Sequence, residues 1–302
     1  MIIFFVSIVT FFNVYKSPIE GLKYYTLEIS TPSIQYELKP EQDTLSSNNI
    51  INYKPNVHSF SGVSFGTDYG ALTLMVQNND EDKKEFGATK VVDLQIIGNK
   101  KNFLWEAFYQ NYQGLYITDS DFSNDLPTAD SWSYGVSIKQ FFRKGFNLKK
   151  SFRNSTGVKE SNWSWVRGLY FSKNKLFSSD GLIPAEFEVN FPQITGLNGI
   201  ETTNLGLDFG IGGTYVYKGF FTTSMLTIGY QLQEQFYDGI TDSKKTQTQN
   251  ATSILFGFGY DFTKNHSAGF ETRSASIDIP FKDVEYRQER SCLLYTSPSP
   301  RD

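Results

Sequence analysis

The chain of 302 residues contains almost no cysteine, little histidine and no long apolar run. Its single cysteine, Cys292, and its two histidines, His58 and His266, argue against thiol catalysis and against a zinc site. No stretch of about 18 or more apolar residues is present, which excludes a helical membrane protein. An excess of one charge is also missing, because 28 basic and 32 acidic residues leave a net charge of −4. The chain therefore has no electrostatic footprint for nucleic acid.

Aromatic residues, in contrast, are abundant. They make up 16% of the chain, with 27 Phe and 18 Tyr, although hydrophobic residues as a whole reach only 39%. An outer-membrane barrel combines these two values, because half of its wall faces water while the other half faces lipid and carries aromatic girdles. The length alone also fits two soluble domains. A single closed barrel fits both the length and the composition.

Apolar and polar residues alternate almost without exception along three successive segments between Leu205 and Phe262. In the first segment Leu205, Leu207 and Phe209 occupy odd positions, and Asp208 lies between them. Since successive side chains of a strand point to opposite faces, each segment has one apolar face and one polar face. Strands of about ten residues with aromatic residues towards their ends are typical of outer-membrane spans. Weaker alternation of the same kind extends upstream to Ile34.

The connections between the alternating segments fall into two classes by length. Short segments, most of them containing Gly or Asn with lysine, predict tight turns, and longer polar segments lie between them. Outer-membrane barrels sort their connections in this way, because periplasmic turns are short and external loops are long. The short set is 67–69, 98–101, 143–145, 172–175, 218–219 and 263–266, and the long set is 39–49, 78–88, 118–130, 154–161, 184–202 and 236–249.

Together these patterns predict an all-β protein, a transmembrane antiparallel up-and-down β-barrel of about 12 strands, with a range of roughly 10–14. Residues 17–290 are expected to form a single outer-membrane β-barrel domain. Residues 1–16 begin with an apolar run that predicts a signal peptide, with a buried strand or an anchor as the alternative. Residues 291–302 resemble translated sequencing adaptor and are interpreted as a non-native tail.

The energetics of lipid exposure assign the two faces of these strands. A Lys or Arg that faces lipid at the bilayer midplane costs about 2–4 kcal/mol, so charged residues within strands should face the lumen. Glycines within 206–213 and 257–259 share this side, which is compatible with an open pore and with a filled barrel. The residues predicted to face the lumen are Glu106, Lys139, Asp208, Gln231, Asp261, Glu271 and Arg273. The residues predicted to face lipid are Leu205, Leu207, Phe209, Ile211, Ile228, Phe256 and Phe258.

No pattern in the chain predicts a catalytic residue, a cofactor or a metal site. His266 stands next to Ser267, but adjacent strand residues point to opposite faces and cannot form the hydrogen bond that a hydrolase needs. The acidic loop 119–130 resembles a calcium loop, yet its sixth position is Asn124 instead of glycine and its twelfth is Asp130 instead of glutamate. We therefore predict no enzyme and no cofactor, with a barrel-embedded lipid hydrolase as the minor alternative.

Short motifs spread along the chain carry a family resemblance. They are Tyr53-Lys54-Pro55-Asn56, Gly62-Val63-Ser64-Phe65, Asp93-Leu94-Gln95-Ile96, Tyr112-Gln113-Gly114-Leu115-Tyr116, Ser161-Asn162-Trp163-Ser164, and Gly210-Ile211-Gly212 leading to Tyr215. Over roughly residues 25–290 the chain resembles an uncharacterised Bacteroidota outer-membrane β-barrel family, domain of unknown function 4421. The resemblance implies an outer-membrane-type barrel in a Gram-negative envelope, and it implies no established activity and no functional residue.

Three functional hypotheses follow from the residues and the resemblance. The first is an integral protein of a Gram-negative outer membrane, acting as a passive small-solute channel or as a structural or surface-interaction barrel. Its expected partners are outer-membrane lipid, the barrel-assembly machinery and, for a channel, a small solute, with no nucleic acid. The second is a soluble secreted β-barrel or sandwich that binds a ligand, with its aromatic stripe turned inward. The third is the barrel-embedded lipid hydrolase.

Overall fold

Antiparallel strands make up most of the structure. The computed structural model describes residues 10–14, 24–30, 33–40, 50–57, 59–66, 70–77, 89–117, 128–143, 161–240, 244–263, 266–281 and 284–293. Within these residues fifteen β-strands join in one sheet, and one 3₁₀ helix spans Ala185–Asn190. The strands are β1 (Thr10–Val14), β2 (Tyr24–Ser30), β3 (Ser33–Pro40), β4 (Ile51–Pro55), β5 (Phe60–Gly66), β6 (Gly70–Gln77), β7 (Lys90–Lys100), β8 (Phe103–Ile117), β9 (Ala129–Phe141), β10 (Asn162–Phe177), β11 (Gly199–Tyr217), β12 (Phe220–Asp238), β13 (Lys244–Thr263), β14 (His266–Phe281) and β15 (Val284–Leu293). None of the described residues forms a helix long and apolar enough to cross a membrane.

Eleven consecutive strands, β5 to β15, form an up-and-down meander in which each strand pairs with the next in antiparallel register. The four N-terminal strands close the sheet on itself. β1 pairs with β2 and β14, β2 also with β5, β3 with β4 and β15, and β4 also with β8. The predicted all-β, antiparallel up-and-down barrel is confirmed.

The barrel closes as a different ring at each end. At the end with the β7–β8, β11–β12 and β13–β14 turns, which we call the turn rim, twelve strands pair in a circle: β1, β2 and β5 to β14. At the opposite end, which we call the plug rim, ten strands pair in a circle: β3, β4 and β8 to β15. The rings of twelve and ten strands agree with the predicted count of about 12, range 10–14. Fifteen separate strands are counted among the described residues because two passes across the wall are each divided into two strands, β2 with β3 and β4 with β5.

The hairpin between β11 and β12 is a tight turn at the turn rim. Lys218 and Gly219 have φ angles of 48° and 88°, the left-handed conformation that a two-residue hairpin turn requires. Tyr217 and Phe220 pair directly across this turn. The predicted turn at 218–219 is therefore confirmed. The predicted turn at 263–266 falls partly on residues 264–265, which lie outside the described residues.

The predicted turn at 172–175 is wrong, because these residues lie inside β10. Ser172 and Asn174 face inward and hydrogen-bond to side chains of β11. Lys173 faces outward and forms an ion pair with Glu201 over 2.6 Å. A polar run with lysines resembles a turn in sequence, but here each of these side chains has a partner on the neighbouring strand.

The predicted polar loop 184–202 is also wrong. Residues 178–198 form an irregular segment with the 3₁₀ helix near its centre, which we call the plug, and β11 already begins at Gly199. The plug packs against inner side chains of the plug rim, among them Tyr36, Leu115 and Tyr237, in one apolar core. Its buried apolar residues are Leu182, Ile183, Phe187, Phe191, Ile194 and Leu197.

The interior of the barrel has three layers along its axis. The apolar core formed by the plug and the inner side chains around it, which we call the plug core, fills the plug rim. A second apolar cluster lies towards the turn rim, and buried polar side chains lie between the two. This second cluster consists of Ile97, Leu104, Phe141, Val166, Met225 and Leu255.

The outer wall is apolar over a broad band. Aromatic residues of β9 to β13 stand exposed at both borders of this band, and aliphatic residues lie between them. Ion pairs such as Lys173–Glu201 and Lys244–Glu234 lie beyond it, on the plug-rim side. Aromatic residues towards the turn rim include Trp163, Trp165, Tyr215, Tyr217, Phe220 and Phe262, and those towards the plug rim include Tyr134, Tyr230 and Phe236.

Both chain ends enter the sheet. β1 lies within residues 1–16, where the signal peptide is expected, and pairs with β14. The last residues of β15 lie within 291–302, where the non-native tail is expected, and pair with β14 as well. The signal peptide, the domain bounds and the tail stay predictions.

Candidate functional site

Five polar side chains meet in the middle layer of the barrel, and we call them the central cluster. They are Lys139 of β9, Tyr170 of β10, Asp208 of β11, and Thr227 and Gln231 of β12. Lys139 Nζ lies 2.5 Å from Asp208 Oδ2, with both side chains less than a tenth exposed. Thr227 Oγ1 donates to the same oxygen over 3.1 Å. The Tyr170 hydroxyl donates to Gln231 Oε1 over 2.9 Å.

A glycine on the intervening strand lets Lys139 reach Asp208. In the antiparallel register Gly168 of β10 stands directly between them. A Cβ at position 168 would overlap Asp208 Oδ1 and would lie 3.2 Å from Lys139 Cγ. Gly229 of β12 flanks Asp208 on its other side in the same row. The ion pair can bridge β9 and β11 because position 168 carries no side chain.

The same arrangement recurs one row closer to the plug rim. Gly206 of β11 stands in register between Tyr170 and Gln231. A Cβ at position 206 would overlap the ring of Tyr170. The side chain of Tyr170 therefore crosses β11 above Gly206 to reach Gln231. Two adjacent rows thus follow one rule, in which a glycine separates two polar partners.

Two polar atoms of the central cluster have no hydrogen-bond partner. They are Asp208 Oδ1 and Gln231 Nε2, and both are buried. Burial of an unpaired polar group costs about 1–3 kcal/mol. One atom accepts hydrogen bonds and the other donates them, so a water molecule or a small polar solute that reached them would find both types of partner.

Amides line the inner face between the central cluster and the plug. Gln233 Nε2 donates to Asn204 Oδ1 over 2.8 Å, and Gln235 Nε2 donates to Gln233 Oε1. The Tyr237 hydroxyl donates to Gln235 Oε1 over 2.5 Å at the border of the plug core. We call these residues and Ser172, which accepts from Asn204, the amide ladder. Asn204, Gln233 and Gln235 have no solvent exposure, so the ladder fills this part of the interior.

A second polar network lies on β7 to β9. The carboxylate of Asp93 accepts hydrogen bonds from Gln110 Nε2 over 2.6 Å and from Gln95 Nε2 over 3.2 Å. Ser133 Oγ donates to Gln110 Oε1 over 3.4 Å. Gln95, Gln110 and Ser133 are buried, so polar pairing also occupies the inner face on this side.

Hydrogen bonds hold the plug in addition to its apolar contacts. The Tyr53 hydroxyl of β4 donates to the Leu182 carbonyl over 3.0 Å. The Leu182 amide in turn donates to the Leu197 carbonyl over 2.7 Å. Gly181 and Gly196 have φ angles of 95° and 82°, which let the chain reverse at both ends of the plug. The plug is therefore a packed element of the interior.

The chemistry of this interior is that of packing and hydrogen bonding. Among the described residues no group of three or more His, Cys, Asp or Glu side chains could hold a metal ion. The central cluster offers an ammonium, a carboxylate, a phenol and an amide, which are groups suited to binding a small polar molecule.

Three predicted lumen residues belong to the central cluster. Lys139, Asp208 and Gln231 are buried on the inner face and lie within one row of each other. Glu106 is half-buried and accepts a hydrogen bond from Ser137 Oγ over 3.4 Å, outside this cluster.

The remaining predicted lumen residues lie on β13 and β14. Asp261 is half-buried. Glu271 pairs in register with Gly257, and Arg273 pairs with Leu255, but the side chains of these two residues lie outside the described part of the structure. The residues predicted to face lipid, Leu205, Leu207, Phe209, Ile211, Ile228, Phe256 and Phe258, all lie on the outer face and are between 38% and 61% exposed.

The weaker candidates stay apart from the central cluster. His266 is the first residue of β14, where a turn residue was expected, and the side chains of His266 and Ser267 are not among those described. His58 and residues 118–127 lie outside the described residues. Asp130, expected at the end of a calcium-like loop, instead accepts a hydrogen bond from the backbone amide of Gly114 over 2.8 Å.

The plug is the feature that sequence reasoning missed. Phe187, Phe191, Ile194 and Leu197 recur three or four residues apart, the spacing of apolar residues on one face of a helical turn. This pattern was available in the sequence, but the surrounding Gly, Pro and Asn residues resemble an external loop.

A matched pair of glycine variants tests the row rule of the central cluster. We expect Gly168→Ala to lower the free energy of unfolding by about 1–3 kcal/mol, because the new methyl group overpacks the space of the Asp208 carboxylate. Gly199→Ala is the control, since a Cβ there lies 3.4 Å from Phe177 Cβ and 3.5 Å from Asp238 Cβ, which is ordinary contact. Urea unfolding of both variants in detergent measures the difference, and equal midpoints would contradict the rule.

Comparisons with known proteins give one matching family and similar solved structures. The family model described as Domain of unknown function (DUF4421) matches residues 21–297. No curated protein matches the chain. Among solved structures, in-vitro folded OmpT, an outer membrane protein of Vibrio cholerae, is similar over 96% of each chain, at 7% identity and a TM-score of 0.35. Its loop L8 deletion mutant is similar over 96% of this chain and 97% of that one, at 8% identity and a TM-score of 0.31. At these values neither structure bears on what this chain does.

Proposed function

The chain belongs to the DUF4421 family, and we propose that it is an integral β-barrel of a Gram-negative outer membrane whose interior is closed to solute flow. Its role would be structural or one of surface interaction, and a passive channel is disfavoured. The observation that carries this proposal is the inverted distribution of side chains, with an apolar outer wall around a polar, filled interior.

The outer wall supports the membrane location. Leu207 is 55% exposed while its neighbour Asp208 is 4% exposed, the reverse of the pattern in a soluble barrel. An apolar band bordered by aromatic residues is the surface that lipid chains cover. The soluble ligand-binding alternative requires this stripe to face inward. Leu207, Phe256 and Phe258 all lie on the outer face, which disfavours that alternative.

The orientation in the membrane is proposed from the connections. Short turns such as Lys218–Gly219 lie at the turn rim, although the β9–β10 connection at this rim is longer, and short turns face the periplasm in outer-membrane barrels. The plug rim would then face outward. Strands β11 to β13 have 19 or 20 residues, about twice the length that a span needs, so they would extend beyond the bilayer on that side. Outer-membrane lipid and the barrel-assembly machinery are the partners that this location implies.

The filled interior supports a closed barrel. The plug core, the amide ladder and the second apolar cluster follow one another along the axis, and their members are buried. An aqueous channel would leave such inner side chains exposed to water. We propose no catalytic role. A barrel-embedded lipid hydrolase stays the minor alternative, since the side chains of His266 and Ser267 are not among those described.

Two measurements on the purified, refolded protein test the proposed function. We expect heat-modifiable migration in gels after insertion into lipid vesicles, and extraction only by detergent. In planar bilayers we expect no steady current steps, with a known porin as the positive control. Recovery as a freely soluble protein would overturn the membrane location, and reproducible single-channel steps would overturn the closed interior.

A further inference from the structure

We propose that Arg143 and Arg167 form a binding site for the phosphate of an anionic phospholipid headgroup at the turn-rim border of the apolar wall. This inference rests on the proposed membrane location. Arg143 follows the end of β9, and Arg167 lies on the outer face of β10 between Trp165 and Leu169. Both arginines are exposed.

The position of Arg167 requires an explanation because it stands within the apolar band. Its register partners are Phe209 of β11 and Gln140 of β9. A lipid-facing arginine is costly at the midplane and tolerated near the interface, where its long side chain can extend towards headgroups. The guanidinium of Arg167 lies over the ring of Phe142, with 5.0 Å between Cζ and the ring centroid. It therefore points towards the turn rim and the lipid headgroups of that leaflet.

Arg143 brings a second guanidinium to the turn-rim end of the same strand pair. The backbone amide of Phe142 donates to the Trp165 carbonyl, which holds the end of β9 against β10. The guanidinium of Arg143 lies over the ring of Trp163, with 5.6 Å between Cζ and the ring centroid. Both arginines thus flank this strand pair, each resting on an aromatic ring at the border of the band.

The two arginines have donors to spare and no described carboxylate partner. Arg167 Nε donates to Gln140 Oε1 over 2.9 Å. A terminal nitrogen of Arg143 donates to the Trp163 carbonyl over 3.4 Å. At the plug rim, in contrast, Lys173 and Lys244 each form an ion pair with a glutamate. The fork of guanidinium donors matches phosphate oxygens and gives strong, charge-assisted hydrogen bonds.

The charge of the surrounding rim favours an anion as well. Lys100, Lys101 and Lys218 are exposed at the neighbouring turns of the turn rim. Basic residues near a bilayer surface attract anionic lipids. The occupant of the site is therefore a phospholipid that combines an anionic headgroup with acyl chains lying on the adjacent wall.

Native mass spectrometry of the detergent-purified barrel tests the site. We expect the wild-type protein to retain phosphatidylglycerol about tenfold better than phosphatidylcholine, because phosphatidylglycerol carries a net negative charge and gives charge-assisted bonds without a competing cation. The double variant Arg143→Gln/Arg167→Gln should lose this preference. Lys173→Gln, whose lysine is paired at the plug rim, should keep it.

Three results would overturn the inference. They are equal retention of both lipids by the wild-type protein, an unchanged preference in the double variant, and equal binding of glycerol phosphate without acyl chains, which would indicate a site for free anions. Insertion of each variant into phosphatidylcholine vesicles is measured in parallel. A barrel that inserts but shows no headgroup preference contradicts this site alone, whereas a barrel that never inserts contradicts the proposed function as well.

Discussion

Replacement of Asp208 by alanine should lower the free energy of unfolding by about 3–5 kcal/mol, one of the two largest effects expected for a single change in the barrel. The variant leaves the Lys139 ammonium buried without its carboxylate, and the Thr227 hydroxyl loses the oxygen to which it donates. Water cannot readily replace the partner, because Lys139 is only 6% exposed. Equilibrium unfolding in urea, followed by tryptophan fluorescence in detergent micelles, gives the difference.

A double variant separates the lost ion pair from lost packing. Lys139→Met combined with Asp208→Leu removes both charges and retains similar volume, and such replacements of buried ion pairs are often neutral or stabilising. We therefore expect the double variant to recover most of the stability that Asp208→Ala loses. If the double variant unfolds as easily as the single one, the two residues contribute through shape alone and the argument from unpaired charge is wrong.

Phe191→Ala in the plug should have a comparable effect, a loss of about 3–5 kcal/mol, because it opens a cavity in the plug core. Phe191 is 1% exposed and packs with residues from both the plug and the wall. The loss would first appear as local opening, so protease cleavage within residues 178–198 should accelerate while the wall stays folded.

Val189→Ala provides the matched control for the plug. Val189 belongs to the same 3₁₀ helix but is 85% exposed, so its truncation should change stability by less than about 0.5 kcal/mol. Equal cleavage rates for Phe191→Ala and the wild-type protein would mean that the plug is not held by its apolar residues, and the closed interior would lose its main support.

The alternation of β11 to β13 could be predicted because strand periodicity is local. Leu207 and Asp208 are neighbours in sequence, and the pleat alone sends them to opposite faces. The barrel closure then decides which face is outside, and burial follows from it. Strand ends were predicted too short, since residues 199–202, 236–238 and 244–249 were assigned to polar loops but belong to β11, β12 and β13.

The central cluster could not be assembled from the sequence in the same way. Lys139, Gly168 and Asp208 lie on three different strands, and their row depends on the pairing register. A shift of one residue in either strand pair would bring other partners together. The burial of the plug could not be predicted either, because it depends on the width of the plug-rim ring. Strands far apart in sequence close that ring.

The division of β2 from β3 and of β4 from β5 has a consequence for assembly. The seam of this cylinder is made where the first strands of the chain meet the last ones, with β1 and β3 joining β14 and β15 at opposite rims. Such long-range joins are entropically late steps. Until both pairings form, the first and last strands present open edges that can pair with other chains. We therefore expect the protein to resist aggregation only after this seam has closed.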